Sequence, residues 1–264
     1  MLTAVKNQGK VTCLSIKYAI QRELLNKATF ILDTVFMILN NASFLIQWLV
    51  LFQLKNSIGG YDFKQVALLW GLAAGTYGFS HFFFKDVYKL SDIIHTGKLD
   101  TYLIQPKEVL LSCITASVGV SALGDMLYAY IMLFVYGFSI KGLILITFLS
   151  ITGGLIMTSM AVISASLSFW FGRVELLVDT MNSMMVHFAS YPEGIFKGFI
   201  KVLFYTFIPL GFSVYLPVRL FDHFNISILL IIIGVTIFLI ILAYILFYRG
   251  LKRYSSSNLM NVRV

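Results

Sequence analysis

Apolar residues run in long blocks rather than in the alternation of half-buried strands, and each block can be measured against a bilayer. A hydrocarbon core of ~30 Å is crossed by about 20 residues of α-helix. On that ruler residues 30–53, 66–84, 109–138, 143–171 and 226–248 each predict a span. Polar punctuation separates them. Asn56-Ser57-Ile58-Gly59-Gly60 is turn-like, Ser139–Gly142 makes a tight turn, and Arg249, Lys252 and Arg253 stop the last run. Residues 11–28 differ, with Leu14, Ala19, Ile20, Leu24 and Leu25 broadly on one side and Lys17, Arg22 and Lys27 elsewhere. That pattern predicts an interfacial helix on the inner leaflet.

The stretch 172–222 admits two readings. Residues 174–190 are helical in pattern but carry Glu175, Asp179, Asn182 and His187, whereas 198–220 are apolar and broken by Pro209 and Pro217. Either 174–190 is a short, protein-buried fifth span followed by a re-entrant segment over 191–220, or 174–195 is interfacial and 198–220 crosses. Unpaired backbone at membrane depth survives only inside protein or beside water, which favours the re-entrant reading. Both give one all-α transmembrane domain over residues 1–264, with six spans.

Composition and charge support this reading. The chain is 59% apolar and 12% charged, with mean hydropathy +0.87, against about 25% charged in an average soluble domain. A soluble enzyme and a disordered chain are both excluded. Its 20 Lys and Arg are not collected on a soluble face, so nucleic acid is not an expected partner. With the N-terminus inside, Lys55, Lys64, Lys141, Lys197, Lys201 and Arg219 fall outside and the other fourteen fall in the cytoplasm. This asymmetry obeys the positive-inside rule for six spans with both ends cytoplasmic. Residues 1–28 lack the uninterrupted apolar core of a cleavable signal peptide. Cys13 and Cys113 are expected to be small buried hydrophobes.

Charge within the spans is sparse. Asp125 stands near the middle of the third run, where an Asp costs ~2.5–3.5 kcal/mol on insertion scales. It should therefore pair with polar groups on another span, or contact cargo or ions. Glu175, Asp179 and His187 share one side of a helix and suit a gate or dimer interface, while two acids and one His are too few for an expected metal site. Ser150, Gly154 and Thr158, like Ala161 and Ala165, give the fourth run small residues for close packing.

The most informative polar segment is the cytoplasmic loop 85–108, KDVYKLSDIIHTGKLDTYLIQPKE. Val87, Leu90, Ile93 and Ile94 fall at helical spacing, Gly97 can end that helix in the left-handed conformation, and Pro106 suits the first turn of the next span. Physics alone leaves two possibilities here, a solvated connector and a docking surface.

Within this loop, Gly97-Lys98-Leu99-Asp100-Thr101-Tyr102-Leu103-Ile104-Gln105-Pro106 resembles the G-x-L-D-x-x-L-x-x-P signature of bacterial ABC transporter permeases of the type-2 exporter superfamily. Downstream, Ser168-Phe169-Trp170, Ser190-Tyr191-Pro192, Ile208-Pro209-Leu210-Gly211-Phe212 and Pro217 follow in matching order. The resemblance implies an exporter permease with an interfacial helix at 11–28, a coupling helix at 86–96 and an outer re-entrant segment including Tyr191, Pro192, Pro209 and Pro217. It also implies a bacterial cell membrane, a second permease copy or paralogue, and separate ABC ATPase subunits carrying ATP and Mg. No G-x-x-x-x-G-K-[ST] phosphate loop occurs in this chain. Asp86, Tyr88, Asp92, His95 and Asp100 are the expected ATPase contacts, and no catalytic residue is expected. Cargo is expected to be amphipathic or lipid-like. A secondary transporter or channel would carry symmetric broken helices, and a lipid-modifying enzyme would need clustered acid–base groups; the sequence displays neither.

Overall fold

In the computed structural model, which describes residues 2–255 (for 2–8 and 15 the backbone path alone), the chain consists of helices and short turns. The expected basic tail beyond Ser255, including Arg263, lies outside the described residues. Helix α1 (Leu2–Glu23) leads into α2 (Lys27–Leu54) and α3 (Phe63–Phe83). A 3₁₀ turn (Lys85–Lys89), α4 (Leu90–His95) and α5 (Asp100–Leu103) form the loop before α6 (Val109–Ile114) and α7 (Ala122–Tyr136). Next come α8 (Ile140–Ser166), α9 (Ser168–Phe171) and α10 (Glu175–Ala189). The C-terminal part holds α11 (Phe199–Thr206), a π-helical turn (Gly211–Tyr215) running into α12 (Leu216–Asp222), and α13 (Ile226–Leu251).

Among the described residues three helical segments are long and apolar enough to cross a membrane: α2, α8 with α9, and α13. The pair Phe199–Thr206 and Gly211–Asp222 would be a fourth, but it is bent by 78°. The bend falls at Pro209, which removes a backbone donor, and the π turn follows it directly. Helix α10, with 15 residues, reaches roughly 22 Å at 1.5 Å per residue.

The core is organised around α3, which is buried along most of its length. Gly71, Gly75 and Gly78 let α7 approach it. A Cβ on Gly71 would stand 2.7 Å from the Met132 Cβ, and one on Gly78 would stand 2.8 Å from the Met126 backbone nitrogen. On the α8 side, a Cβ on Gly154 would meet the Phe79 ring at 2.6 Å. Small residues take the place of a hydrophobic driving force here, because lipid is as apolar as a leucine side chain. A helix so covered does not need a strongly apolar surface, which explains how its Ser, Thr, Tyr and His residues are tolerated.

The unbroken span expected over 109–138 is corrected. Helix stops at Ile114 and resumes at Ala122. Gly119 lies against the end of α3, where a Cβ would be 2.5 Å from the His81 carbonyl oxygen, and its N–H donates to the Phe82 carbonyl at 3.3 Å. Thr115 and Val118 are buried, so this irregular backbone is shielded by protein. Pro106 precedes the Glu108 cap rather than standing in the first turn of α6. Cys113 is buried as expected, but Cys13 is exposed. Helix α1 packs only lightly, through Ala19, Ile16 and Ile20 against Val118, Val120 and Phe30.

At the opposite end from loop 85–108, the bent segment is tied down by polar contacts. Glu193 is bonded by Lys201 (3.1 Å), Tyr205 (2.9 Å) and Arg219 (2.5 Å). Gly194 lies so close to Gly59 that a Cβ would overlap the Gly59 carbonyl. Asp222 accepts from Gln65 (2.7 Å) and Tyr136 (3.0 Å). The Tyr61 phenol beside this cluster is pushed up to about 12, chiefly by burial.

Candidate functional site

Loop 85–108 folds as a compact block. The apolar stripe Val87, Leu90, Ile93 and Ile94 is buried, as its spacing predicts. It packs in one cluster with Leu99, Cys113, Ala165, Phe169 and Phe247. Gly97 ends α4 with φ +76°, the left-handed conformation expected of it. Two hydroxyl bridges fasten the block to the bundle: Ser91 to Ser168 at 2.7 Å, and Tyr88 to Ser80 at 2.7 Å, with Ser80 continuing to Thr158 at 2.8 Å. The His81 ring stacks on Tyr77 and Tyr88, with centroids 3.7 and 4.1 Å away. Burial raises the pKa of the Tyr88 phenol and keeps it a neutral hydroxyl.

This packing divides the five expected contact residues. Asp86 is buried, and Tyr88 is directed into the hydroxyl chain, so neither offers its polar group to a protein approaching from the cytoplasm. Asp92, His95 and Asp100 are partly exposed. Asp92 forms an ion pair with Lys98 at 2.9 Å, and its backbone carbonyl accepts from the Thr96 hydroxyl at 2.7 Å.

The second feature is a cavity of about 590 Å³ among α2, α3, α7, α10 and the π turn. Asn40, Asn41 and Gln47 of α2, Asp125 of α7, and Asn182 and His187 of α10 line it together with aromatic side chains. Asp125 is buried and accepts from the Asn41 amide at 2.6 Å, the interhelical pairing expected for an intramembrane carboxylate. Its other oxygen has no hydrogen-bond partner. Tyr128 donates to the Asn41 carbonyl at 3.3 Å and so steadies that partner. Tyr191 packs edge-on against Trp48 at 6.0 Å, linking the segment after α10 to α2.

The intramembrane candidates therefore separate. Asp125 and His187 meet at the cavity. Glu175 pairs with Arg173 at 3.4 Å at the start of α10, and Asp179 is exposed elsewhere on that helix. Among the described residues no group of three His, Cys, Asp or Glu could hold a metal. Pro192 lies against Gly59, and Pro209 and Pro217 flank the π turn. Sequence reasoning missed the glycine stripe of α3, although its i, i+4, i+7 spacing was visible. It also missed Asn41 as the partner of Asp125.

The family model described as "ABC-2 family transporter protein" matches residues 38–258. The chain belongs to that family, and it is a permease component of an ABC transporter, a multi-pass membrane protein rather than an enzyme. No curated protein and no solved structure matches it.

Proposed function

We propose that the chain is the pathway-forming subunit of an ATP-driven exporter. It works as a dimer of identical or paralogous permeases on two ATPase subunits that carry ATP and Mg. In this reading the chain crosses a bacterial cell membrane six times, with both termini cytoplasmic. Helices α6 and α7 together make the third span, α10 makes the fifth, and 191–220 re-enters from the outer face.

The observation that supports coupling most directly is the fastening of loop 85–108 to α3, α8 and α9 through buried apolar residues and hydroxyl bridges. A block held this way transmits displacement instead of absorbing it, because packed interiors are stiff. Closure of the ATPase dimer on nucleotide would push the two loops, and its free energy would shift the spans between inward-open and outward-open states. Asp92, His95 and Asp100 are the contacts. Tyr88 acts from within, holding the block to the bundle, and Asp86 is buried inside the block.

Purification of the tagged chain from native membranes tests this. An ABC ATPase subunit should be retained, and Asp92→Lys should lower its retention about 10-fold or more, the size expected on reversing a contact charge. Membrane insertion should be unchanged. Undiminished retention by the variant would exclude Asp92 from the docking site, and no ATPase on the wild-type chain would sink the ATP-driven exporter proposal.

A further inference from the structure

We infer that the cavity beside Asp125 is a binding site for an amphipathic organic cation. As a cargo site it rests on the exporter reading above; as a binding site it stands on its own geometry.

Charge comes first. Among the described residues lining the cavity, Asp125 is the one acid, and no Lys or Arg stands beside it. Asp125 is 4% exposed, and one carboxylate oxygen has no partner, since Asn41 serves only the other. A buried carboxylate left half satisfied is costly in a medium that screens charge poorly. A cation in the adjoining space favours the ionised carboxylate and interacts with it even without direct contact, whereas an anion would find no cationic side chain there.

The remaining lining agrees. Asn40, Asn41, Gln47 and Asn182 add polar side chains to the lining without adding charge. Phe44 stacks on Trp70 at 5.3 Å, and Trp48 and Tyr191 pack together at 6.0 Å. All four line the cavity. Aromatic faces attract cations and cover apolar bodies, and about 590 Å³ suits one drug-sized molecule.

The test measures binding of radiolabelled tetraphenylphosphonium to the full chain in phosphatidylcholine nanodiscs, with empty nanodiscs as the blank. Saturable binding is expected, displaced by unlabelled tetraphenylphosphonium and not by neutral triphenylphosphine oxide at the same concentration. Asp125→Asn, which keeps size and polarity, should weaken binding about 10-fold or more, as loss of a buried charge contact does. Equal displacement by the neutral compound would overturn the inference without any variant. Unchanged affinity in a monodisperse Asp125→Asn protein would overturn it as well. The exporter reading fails on a different readout, the absence of an ATPase partner. Cation binding without that partner would support the site, and an ATPase-bearing complex that does not bind the cation would overturn this inference alone.

Discussion

Glu193 is 2% exposed, yet it is held ionised by Lys201, Tyr205 and Arg219. Burial by itself would raise its pKa. The hydrogen bonds from Lys201 and Tyr205 and the charge of Arg219 outweigh that effect and hold the carboxyl below its ordinary value. A carboxyl with a depressed folded-state pKa contributes stability that is complete above its unfolded pKa and disappears as pH falls through the folded one. The wild-type chain in nanodiscs should therefore lose thermal stability below about pH 4.5, near the unfolded Glu value. Glu193→Gln should lower the melting temperature at pH 7, by the equivalent of about 1.5–3 kcal/mol for lost charge-assisted bonds. It should also flatten the acid limb of the profile. An acid limb as steep in the variant as in the wild type would assign that transition to other carboxyls. The need for Asp125 to find a partner was legible from one charge in an apolar run. Its partner was not, because Asn40, Asn41 and Gln47 of the first run carry no signal of which of them will meet it.

At the scale of elements, the face of α3 that meets α7 is set by backbone proximity rather than by large side chains. Gly78→Ala places a methyl group 2.8 Å from the Met126 nitrogen and 2.9 Å from the Ala122 carbonyl oxygen. Neither backbone atom can yield without moving α7. Overpacking of this kind costs about 1–3 kcal/mol, which should appear as a lower melting temperature and less protein recovered from membranes. Gly234→Ala on α13 is the contrast, since a Cβ there meets nothing within 4 Å. Relief of glycine's backbone entropy should leave that variant as stable as wild type or slightly more so. Equal losses in the two variants would deny that proximity to α7 is the cause. The apolar stripe of α4, its Gly97 terminus and the proline-broken segment were legible because each is written in local periodicity or backbone chemistry. The break at 115–121 was not, because Ala116-Ser117-Val118-Gly119-Val120 reads as mildly apolar and only the tertiary approach of Gly119 to α3 makes helix impossible there.

For the whole molecule, under the proposed six spans, hydropathy identifies what faces lipid and undercounts what crosses it. Helices α2 and α13 present long rows of exposed apolar residues, whereas α3 is sheltered by neighbours and can be polar; α10 is short and buries only Val178, Met185 and Ala189. Among the described residues a count by length and apolarity stops at three helices, or four with the bent pair, while the reading proposed from the distribution of Lys and Arg has six crossings. The two criteria separate experimentally. With Cys13→Ser and Cys113→Ala as background, single cysteines at the exposed positions Ser57 and His223 should react with a membrane-impermeant maleimide in intact cells. Cysteine at exposed Lys107, and the native Cys13 restored alone, should react only after the membrane is opened. The reason is energetic: carrying a loop with Lys85, Lys89, Lys98 and Lys107 outward violates the charge bias that sets orientation, and α3 returns the chain to the cytoplasm only if it crosses fully despite its polarity. Labelling of Lys107→Cys in intact cells would place loop 85–108 outside, beyond reach of any ATPase. If His223→Cys labels only after permeabilisation while Ser57→Cys labels in intact cells, an odd number of crossings lies between them, and α10 cannot be a span followed by a re-entrant segment.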